Sequence, residues 1–144
     1  SVKEFNSIPY MIDYLTAVLP ATHPLAKADN LPFEQLRGET FLLFPEHSFI
    51  NDLCIRECRN AGFEPHIAYT GNRGATLIDL VRNGAGITLM MHHSARQEND
   101  SSLAFIPVTP GIYSYISLNY AKEKPLSPQA EIFVRYVKAH KRDF

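Results

Sequence analysis

The pattern of apolar and polar positions predicts strands and helices that alternate through the middle of the chain. Short apolar runs with β-branched or aromatic residues are typical of buried strands, whereas spacings of three and four are typical of helices. The predicted segments are, in order, a strand at Thr40–Phe44, a helix at Phe49–Ala61, a strand at His66–Tyr69, a helix through Leu77, Leu80 and Val81, and a strand at Ile87–Met91. Such alternation favours an open α/β sheet with mainly parallel strands.

Two polar turns connect these strands to the helices that follow them. One is Pro45-Glu46-His47-Ser48, in which Ser48 is a predicted N-cap, and the other is Thr70-Gly71-Asn72-Arg73-Gly74. Gly62 and Gly84 stand where the two helices should end. Helix N-termini carry unpaired N–H groups that attract anions, and open α/β sheets bind ligands beyond the carboxyl ends of their strands. The two turns are therefore the first candidates for a binding site.

The flanking regions predict further strands and a final helix. The opening SVKEFNSIPY is predicted as a loop or a cut edge, and Met11–Leu19 is predicted as a strand. Pro32 should stand at the first position of one or two helical turns. The remaining predicted elements are a strand at Leu103–Val108 broken at Pro107, a strand at Tyr113–Ala121, and a helix capped by Ser127 whose apolar stripe is Phe133, Tyr136, Val137 and His140.

Composition and charge exclude several classes of protein. With 144 residues, 45% of them apolar, the chain can bury a real core. A net charge of −1 gives no general reason to bind nucleic acid or an acidic membrane surface, and no apolar run approaches 18 residues. The two cysteines are too few for a disulfide framework, which favours a reducing, cytosolic compartment.

Candidate reactive groups are few, and each has a structural alternative. Cys54 and Cys58 have the i, i+4 spacing of metal ligands on a helix, yet they fall on its apolar stripe, which predicts core packing. His92-His93 alone does not make a closed metal site. The loop at Gly71–Gly74 lacks the Lys-Ser/Thr of a P-loop. No metal, cofactor or catalytic residue is therefore predicted.

The order of these segments resembles the effector-binding domain of LysR-type transcriptional regulators. The resemblance lies in LTAVLPATHPLA, LRGETFLLF, GFEPHIAY and LIDLVRNGAGITLMM, and it extends from about Pro9 to His140. Its most specific parts are Val18-Leu19-Pro20, followed by His23-Pro24-Leu25-Ala26, and the run Leu80–Ile87. The closing SPQAEIFVRYV helix also resembles the end of that domain. Met91-His92-His93 stands where the family often has proline after the strand.

The resemblance implies a fold and a division of the chain. The fold class is α/β, an open mixed sheet flanked by helices, as in one subdomain of a periplasmic binding protein with hinge strands. Residues 20–112 would form the second subdomain, 11–19 and 113–121 the hinge crossings, and 127–141 a helix of the first subdomain. The first half of the first subdomain and the DNA-binding domain have no counterpart, so the chain is expected to be a fragment. Exposed edges and apolar faces would then invite association with a second copy or poor order.

The resemblance also implies a function and a site. The chain is expected to bind a small, anionic effector and, without catalysis or cofactor, to modulate DNA binding by a domain outside it. The expected partners include further copies of the regulator but no membrane. The expected ligand-binding residues are Pro45, His47, Ser48, Phe49, Thr70, Gly71, Asn72 and, with weaker support, Thr16 on the crossing strand. The alternatives are a fragment of a periplasmic-type solute-binding protein and a small α/β hydrolase that uses Cys54 or the histidine pair.

Overall fold

The computed structural model describes residues 4–98 and 100–142, which divide into two compact units. The first unit comprises Ser1–Asp13 and Tyr113–Phe144, and the second comprises Tyr14–Ile112. The boundaries between the two units therefore lie between residues 13 and 14 and between residues 112 and 113. The assignment of residues 11–19 and 113–121 as hinge crossings stays a prediction.

Strands and helices follow one another along the chain in the order expected for an α/β fold. They are β1 (Phe5–Pro20), β2 (Leu31–Pro32), a 3₁₀ helix (Phe33–Leu36), β3 (Thr40–Leu43), α1 (Phe49–Asn60), β4 (His66–Thr70), α2 (Gly74–Arg82), β5 (Thr88–Met91), α3 (His92–Arg96), β6 (Leu103–Thr109), β7 (Tyr113–Ala121) and α4 (Pro128–Ala139). Among the described residues, none of the helices has the length and apolar character needed to cross a membrane.

The second unit is built on a mixed sheet. Its strands follow the order β2-β6-β1-β5, and β3 pairs with β4. Ile87 connects the two groups, because its N–H donates to the Thr40 carbonyl and its own carbonyl accepts from the Leu42 N–H, each at 2.8 Å. The β3–β4 and β2–β6 pairs are parallel. The expectation of mainly parallel strands is wrong for β1, which lies antiparallel between β5 and β6.

The helices α1 and α2 cover opposite faces of this sheet. Successive strand residues point to opposite faces, and on β1 Ala17 packs in the cluster that contains Cys54 and Cys58 of α1, whereas Val18 packs in the cluster that contains Leu77 of α2. The buried side of α2 is formed by Leu77, Ile78 and Val81, with Leu80 only partly buried against it. Both helices are therefore held by apolar stripes of the kind that the sequence predicted.

The predicted starts of α1 and α4 at serine caps, and the predicted ends of α1 and α2 at glycines, are confirmed. The Ser48 hydroxyl accepts the Asn51 N–H at 3.3 Å, and the Ser127 hydroxyl accepts the Ala130 N–H at 3.2 Å. Gly62 and Gly84 follow α1 and α2 with φ of +87° and +79°, a backbone conformation that favours glycine. These boundaries depend on residues close together in sequence.

Two predictions for the strands are wrong. The loop expected at the start of the chain is instead strand from Phe5 onward, because β7 pairs with this part of β1; Ser1–Lys3 lie outside the described residues. Pro107 does not break β6, which continues to Thr109 and pairs with Thr16 of β1 at the proline. A proline removes only one donor, and the neighbouring ladder positions hold the strand in place.

The first unit contains α4 and the β1–β7 pair. Ile8 of β1 packs with Val134 and Val137 of α4 in a small apolar cluster, which Leu118 and Tyr120 of β7 extend. The stripe predicted for α4 is therefore wrong in part, because Phe133, Tyr136 and His140 are exposed and Val134 is buried instead. Periodicity alone did not distinguish between two apolar sides of the same helix.

Candidate functional site

The two polar turns start side by side at one edge of the second unit's sheet. Leu43 and Thr70, the last residues of β3 and β4, are partners in the parallel pair. The Gly71 N–H then donates to the Leu43 carbonyl at 3.0 Å, which keeps the chains together one residue beyond the pair. The turns that open α1 and α2 therefore leave from the carboxyl ends of adjacent parallel strands, where ligands of such sheets bind.

The turn before α1 is closed by its own side chains. The Ser48 N–H donates to the Pro45 carbonyl at 3.0 Å, and the Ser48 hydroxyl caps the helix. Asn51 is almost fully buried, and its amide donates to the Phe44 carbonyl at 2.9 Å, which ties the first turn of α1 to the end of β3. His47 has a φ of +65°, which is uncommon for a residue other than glycine and is characteristic of functional or tightly constrained turns.

The turn before α2 is built differently. No side-chain hydrogen bond caps this helix, its N-cap residue is Arg73, and its first turn contains no acidic residue. A Cβ atom at Gly71 would lie 2.7 Å from the ring of Tyr69, so a larger residue there would displace this 41% exposed side chain. The opening of α2 thus combines the positive end of a helix dipole with a guanidinium group.

A cavity of about 390 Å³ lies between α1 and the end of β4. It is lined by Glu46, His47, Asn51, Asp52, Ile55, Ile67, Ala68, Tyr69 and Thr70. Of the predicted site residues, the structure brings His47 and Thr70 to this cavity. The carboxylates of Glu46 and Asp52 give the α1 side of the cavity a negative character, which an anionic ligand would avoid.

The other predicted residues occupy different positions. Pro45, Ser48, Phe49, Gly71 and Asn72 belong to the two turns but are not among the residues that line the cavity. Phe49, the first residue of α1, is 67% exposed. Thr16 is fully buried on β1, and its hydroxyl lies 3.4 Å from Nδ1 of His92, whose ring stacks on Tyr14 with the centroids 4.4 Å apart.

Asn51 is one of the cavity-lining residues that the sequence analysis missed. It precedes Cys54 by three residues and Cys58 by seven, so it falls on the buried stripe of α1 even though its side chain is polar. A polar residue on an apolar stripe, three positions after an N-cap serine, is a signal that could have been found. Buried polar groups need hydrogen-bond partners, and Asn51 meets this need by joining the helix to β3.

The two cysteines lack the properties of reactive thiols. Cys54 and Cys58 are both fully buried, as the apolar stripe predicted. A hydrogen bond with Cys58, together with burial, raises the pKa of the Cys54 thiol well above its ordinary value, whereas reactive cysteines have a lowered pKa and solvent access. Within residues 4–98 and 100–142, no group of three or more His, Cys, Asp or Glu residues is arranged to hold a metal ion.

Comparison with protein families and known proteins gives one consistent result. The family model described as LysR substrate binding domain matches residues 1–142. The transcriptional dual regulator GltC of Bacillus subtilis is 30% identical over 122 residues, which are 84% of this chain and 41% of GltC. The chain therefore spans less than half the length of that relative.

Solved structures show the same fold. The regulatory domain of CcmR from Synechocystis PCC6803, in complex with 2-PG, superposes with a TM-score of 0.83 at 19% identity, over 99% of this chain and 70% of that one. The effector binding domain of QuiR, in complex with shikimate, superposes with a TM-score of 0.74 at 20% identity, over 95% of this chain and 65% of that one. At these identities the likeness concerns the fold alone.

Proposed function

The chain belongs to the LysR substrate-binding domain family and is a ligand-sensing regulatory domain, and from this premise we propose that its effector is a small anion bound at the openings of α1 and α2. The observation that carries the proposal is the pairing of Leu43 with Thr70, which brings both turns to one sheet edge. The residues proposed to contact the effector are Pro45, His47, Ser48, Phe49, Thr70, Gly71 and Asn72, with Thr16 in a lesser role.

The electrostatics of the two openings favour the α2 side for the charge of the effector. At α1, Ser48 already occupies one N–H group, and Glu46 and Asp52 place carboxylates nearby. At α2, the first turn has no acidic residue and no side-chain cap, and Arg73 adds a positive charge. An anion against α2, with Thr70 beside it, therefore gains favourable interactions and avoids like charges.

The burial of Thr16 limits its role. Its hydroxyl faces His92 within the unit, so it would reach an effector only through a movement of His92 or through a contact that His92 transmits. Thr16 is therefore the weakest of the proposed residues. Thr70 is the strongest, since it lines the cavity and ends β4 next to the turn that opens α2.

Effector binding would act by shifting a conformational equilibrium of the complete regulator. An effector changes affinity at a second site only to the extent that it binds one of two states more tightly, and couplings of about 1–3 kcal/mol are typical. We propose that DNA contacts lie in a part of the regulator outside this chain, that the regulator works as a homo-oligomer, and that it acts in the cytoplasm. The family is a class of transcriptional regulators and not a class of enzymes.

A panel of small ions tests the proposed effector class. The complete regulator would be heated with succinate, with inorganic phosphate or with putrescine as a cationic control, each at the same ionic strength. A ligand that binds only the folded state raises the melting temperature, so at least one anion should stabilise the protein and putrescine should not. Stabilisation by the cation alone would contradict the proposed charge.

The hydrolase alternative is tested by the thiols. In the folded chain, Cys54 and Cys58 should react with a bulky maleimide only as fast as the protein unfolds, because both are buried and the pKa of Cys54 is raised. Mass spectrometry of labelled peptides measures the rate at each cysteine. Rapid labelling of Cys54 under native conditions would revive a nucleophile at this position.

A further inference from the structure

The α1 side of the cavity next to β4 carries two carboxylates that have no countercharge. Glu46 and Asp52 both line this cavity, which has a volume of about 390 Å³. Within residues 4–98 and 100–142, neither carboxylate takes part in an ion pair. These two residues define the acidic side of the cavity.

The two arginines of α1 do not compensate this charge, because each of them is paired with another acid. The Arg56 guanidinium bonds the Glu57 carboxylate at 3.1 Å, and the Arg59 guanidinium bonds the Glu64 carboxylate at 2.6 Å. Both arginines line a second groove together with Asp52, yet neither forms an ion pair with it. The acidic side is therefore open to a positive group that enters the cavity.

A buried acceptor faces the same cavity. The Asn51 side chain is 1% exposed, and its amide nitrogen donates to the Phe44 carbonyl. Its amide oxygen receives no hydrogen bond from any residue in the described part of the chain. That oxygen is still open to solvent, since the Thr88 hydroxyl is the one sealed and unpartnered side-chain group among the described residues. Because Asn51 lines the cavity, the oxygen is open on the cavity side.

The Asn51 oxygen is the second observation that indicates a ligand with donor groups. Buried polar atoms are nearly always hydrogen-bonded, so this oxygen needs a donor that the described residues do not supply. An ammonium group carries three N–H donors and a positive charge, and the cavity offers three acceptor groups, from Asn51 and from the carboxylates of Glu46 and Asp52. We infer that the effector carries an ammonium group on the acidic side of the cavity, in addition to its anionic group at the opening of α2.

The fold also limits the distance between the two charges of such an effector. The acidic side lies at the start of α1, which follows β3, and the anionic group would lie at the start of α2, which follows β4. Leu43 and Thr70 end these two strands as partners, and adjacent strands lie about 4.8 Å apart. The two charges must therefore be separated by few bonds, as they are in an α-amino acid.

The size of the cavity agrees with a small amino acid. Its volume of about 390 Å³ is near the lower end of the range of about 300–1,000 Å³ that is typical of small-molecule pockets. Ile55, Ile67 and Ala68 supply apolar surface for the side chain of the ligand. This inference rests on the proposed anionic effector and names its class as a small α-amino acid.

Matched pairs of ligands test for the ammonium group. The complete regulator would be titrated calorimetrically with L-aspartate and succinate, with L-alanine and propionate, and with L-phenylalanine and 3-phenylpropionate. The members of each pair differ only in the amino group. At least one amino acid should bind about tenfold or more tightly than its partner, because the loss of hydrogen bonds to a charged group costs at least that factor.

The possible failures of this titration are distinguishable. If the acids without an amino group bind as tightly as the amino acids, or more tightly, the inference is overturned and the proposed anionic effector stands. If none of the six ligands binds, the proposed effector and the inference are both overturned.

Two variants then test the acidic side itself. Asp52→Asn and Glu46→Gln keep the shape of each side chain and remove its charge. Each should weaken the binding of the amino acid about tenfold and should not weaken the binding of its partner without the amino group. Asp29→Asn is the matched control at an exposed position outside the cavity, and it should change neither affinity. An amino acid that binds the parent and both cavity variants equally well is not held by the acidic side, which would overturn the inference.

Discussion

The openings of α1 and α2 lie at the same sheet edge but differ in whether a side chain accepts a hydrogen bond from the unpaired N–H groups of the helix. At α1, Ser48 caps the helix and Asn51 ties it to the end of β3. At α2, the position of the cap is occupied by Arg73, which makes no capping hydrogen bond. At the first opening a side chain thus accepts one of the N–H groups of the helix, whereas no side-chain cap is present at the second.

This difference suggests distinct roles, in which the opening of α1 contributes to stability and the opening of α2 contributes to effector binding. The helix α1 is anchored by its cap, by Asn51 and by the buried cysteines, and its opening forms one side of the cavity. A helix without a side-chain cap makes a protein less stable, and locally unfavourable features of this kind are often found at functional sites. Substitutions at α1 should therefore change mainly stability, and substitutions at α2 should change mainly the response to effector.

The largest expected effect is on effector sensitivity. Thr70→Val keeps the shape of the side chain and removes the hydroxyl next to the opening of α2. Loss of one hydrogen bond to a charged ligand costs about 1.5–3 kcal/mol, or roughly tenfold to a hundredfold in affinity. Titration of promoter activity against effector in the complete regulator should show this shift, without a change in DNA affinity in the absence of effector.

Thr109→Val is the matched control, because Thr109 is an exposed threonine at the end of β6. It should leave the dose response unchanged. If the curves of Thr70→Val and the parent superimpose, the turn after β4 is an ordinary connection and the proposed site is misplaced.

The next effect is on stability at α1. Asn51→Ala removes the donor to the Phe44 carbonyl and leaves that group without its partner. The free energy of unfolding should fall by about 1–3 kcal/mol, as measured by urea denaturation. Asn60→Ala, at the exposed end of the same helix, is the control and should change it by no more than about 0.5 kcal/mol. Equal effects of the two substitutions would mean that Asn51 is not an anchor.

A pair of cap substitutions should have opposite signs at the two openings. Ser48→Ala removes a cap and should destabilise the protein by about 1 kcal/mol, whereas Arg73→Ser supplies one and should stabilise it by about 0.5–1 kcal/mol. Arg73→Ser should also weaken the response to an anionic effector. Two changes of the same sign in urea denaturation would remove the distinction between the openings.

The smallest effect concerns the far end of α2. The Ser102 N–H and the Arg82 guanidinium hydrogen-bond the Asp100 carboxylate and lower its pKa to about 2. Because the folded-state pKa lies below the unfolded value of about 4, the stabilisation is present above about pH 4 and is lost as the pH falls toward about 2. An NMR titration should give this pKa, and Asp100→Asn should abolish the corresponding pH dependence. An ordinary pKa for Asp100 would show that the pairing is not maintained in solution.

Features that depend on residues close together in the chain could be predicted from the sequence. Ser48 and Ser127 cap helices through N–H groups three residues away, and Gly62 and Gly84 end helices through their own backbone. The position of Cys54 and Cys58 on the apolar stripe of α1 predicted correctly that both lie in the core. These interactions form between residues that the helix itself brings together, so they can be predicted without knowledge of the sheet.

Features that depend on partners far away in the chain could not be predicted without the tertiary structure. Residues 5–10 form strand because β7 pairs with them, and Pro107 remains in a strand because β1 lies beside it. The sequence indicated both turns of the candidate site. The acidic side of the cavity and the hydrogen bond of Asn51 were not predicted, because both depend on how α1 lies next to the β3–β4 pair. The choice between Val134 and Phe133 as the buried side of α4 was likewise made by the sheet. The spacing of apolar residues in α4 is compatible with burial of either side. The side of Val134 is buried because it packs against Ile8, more than a hundred positions away in the chain.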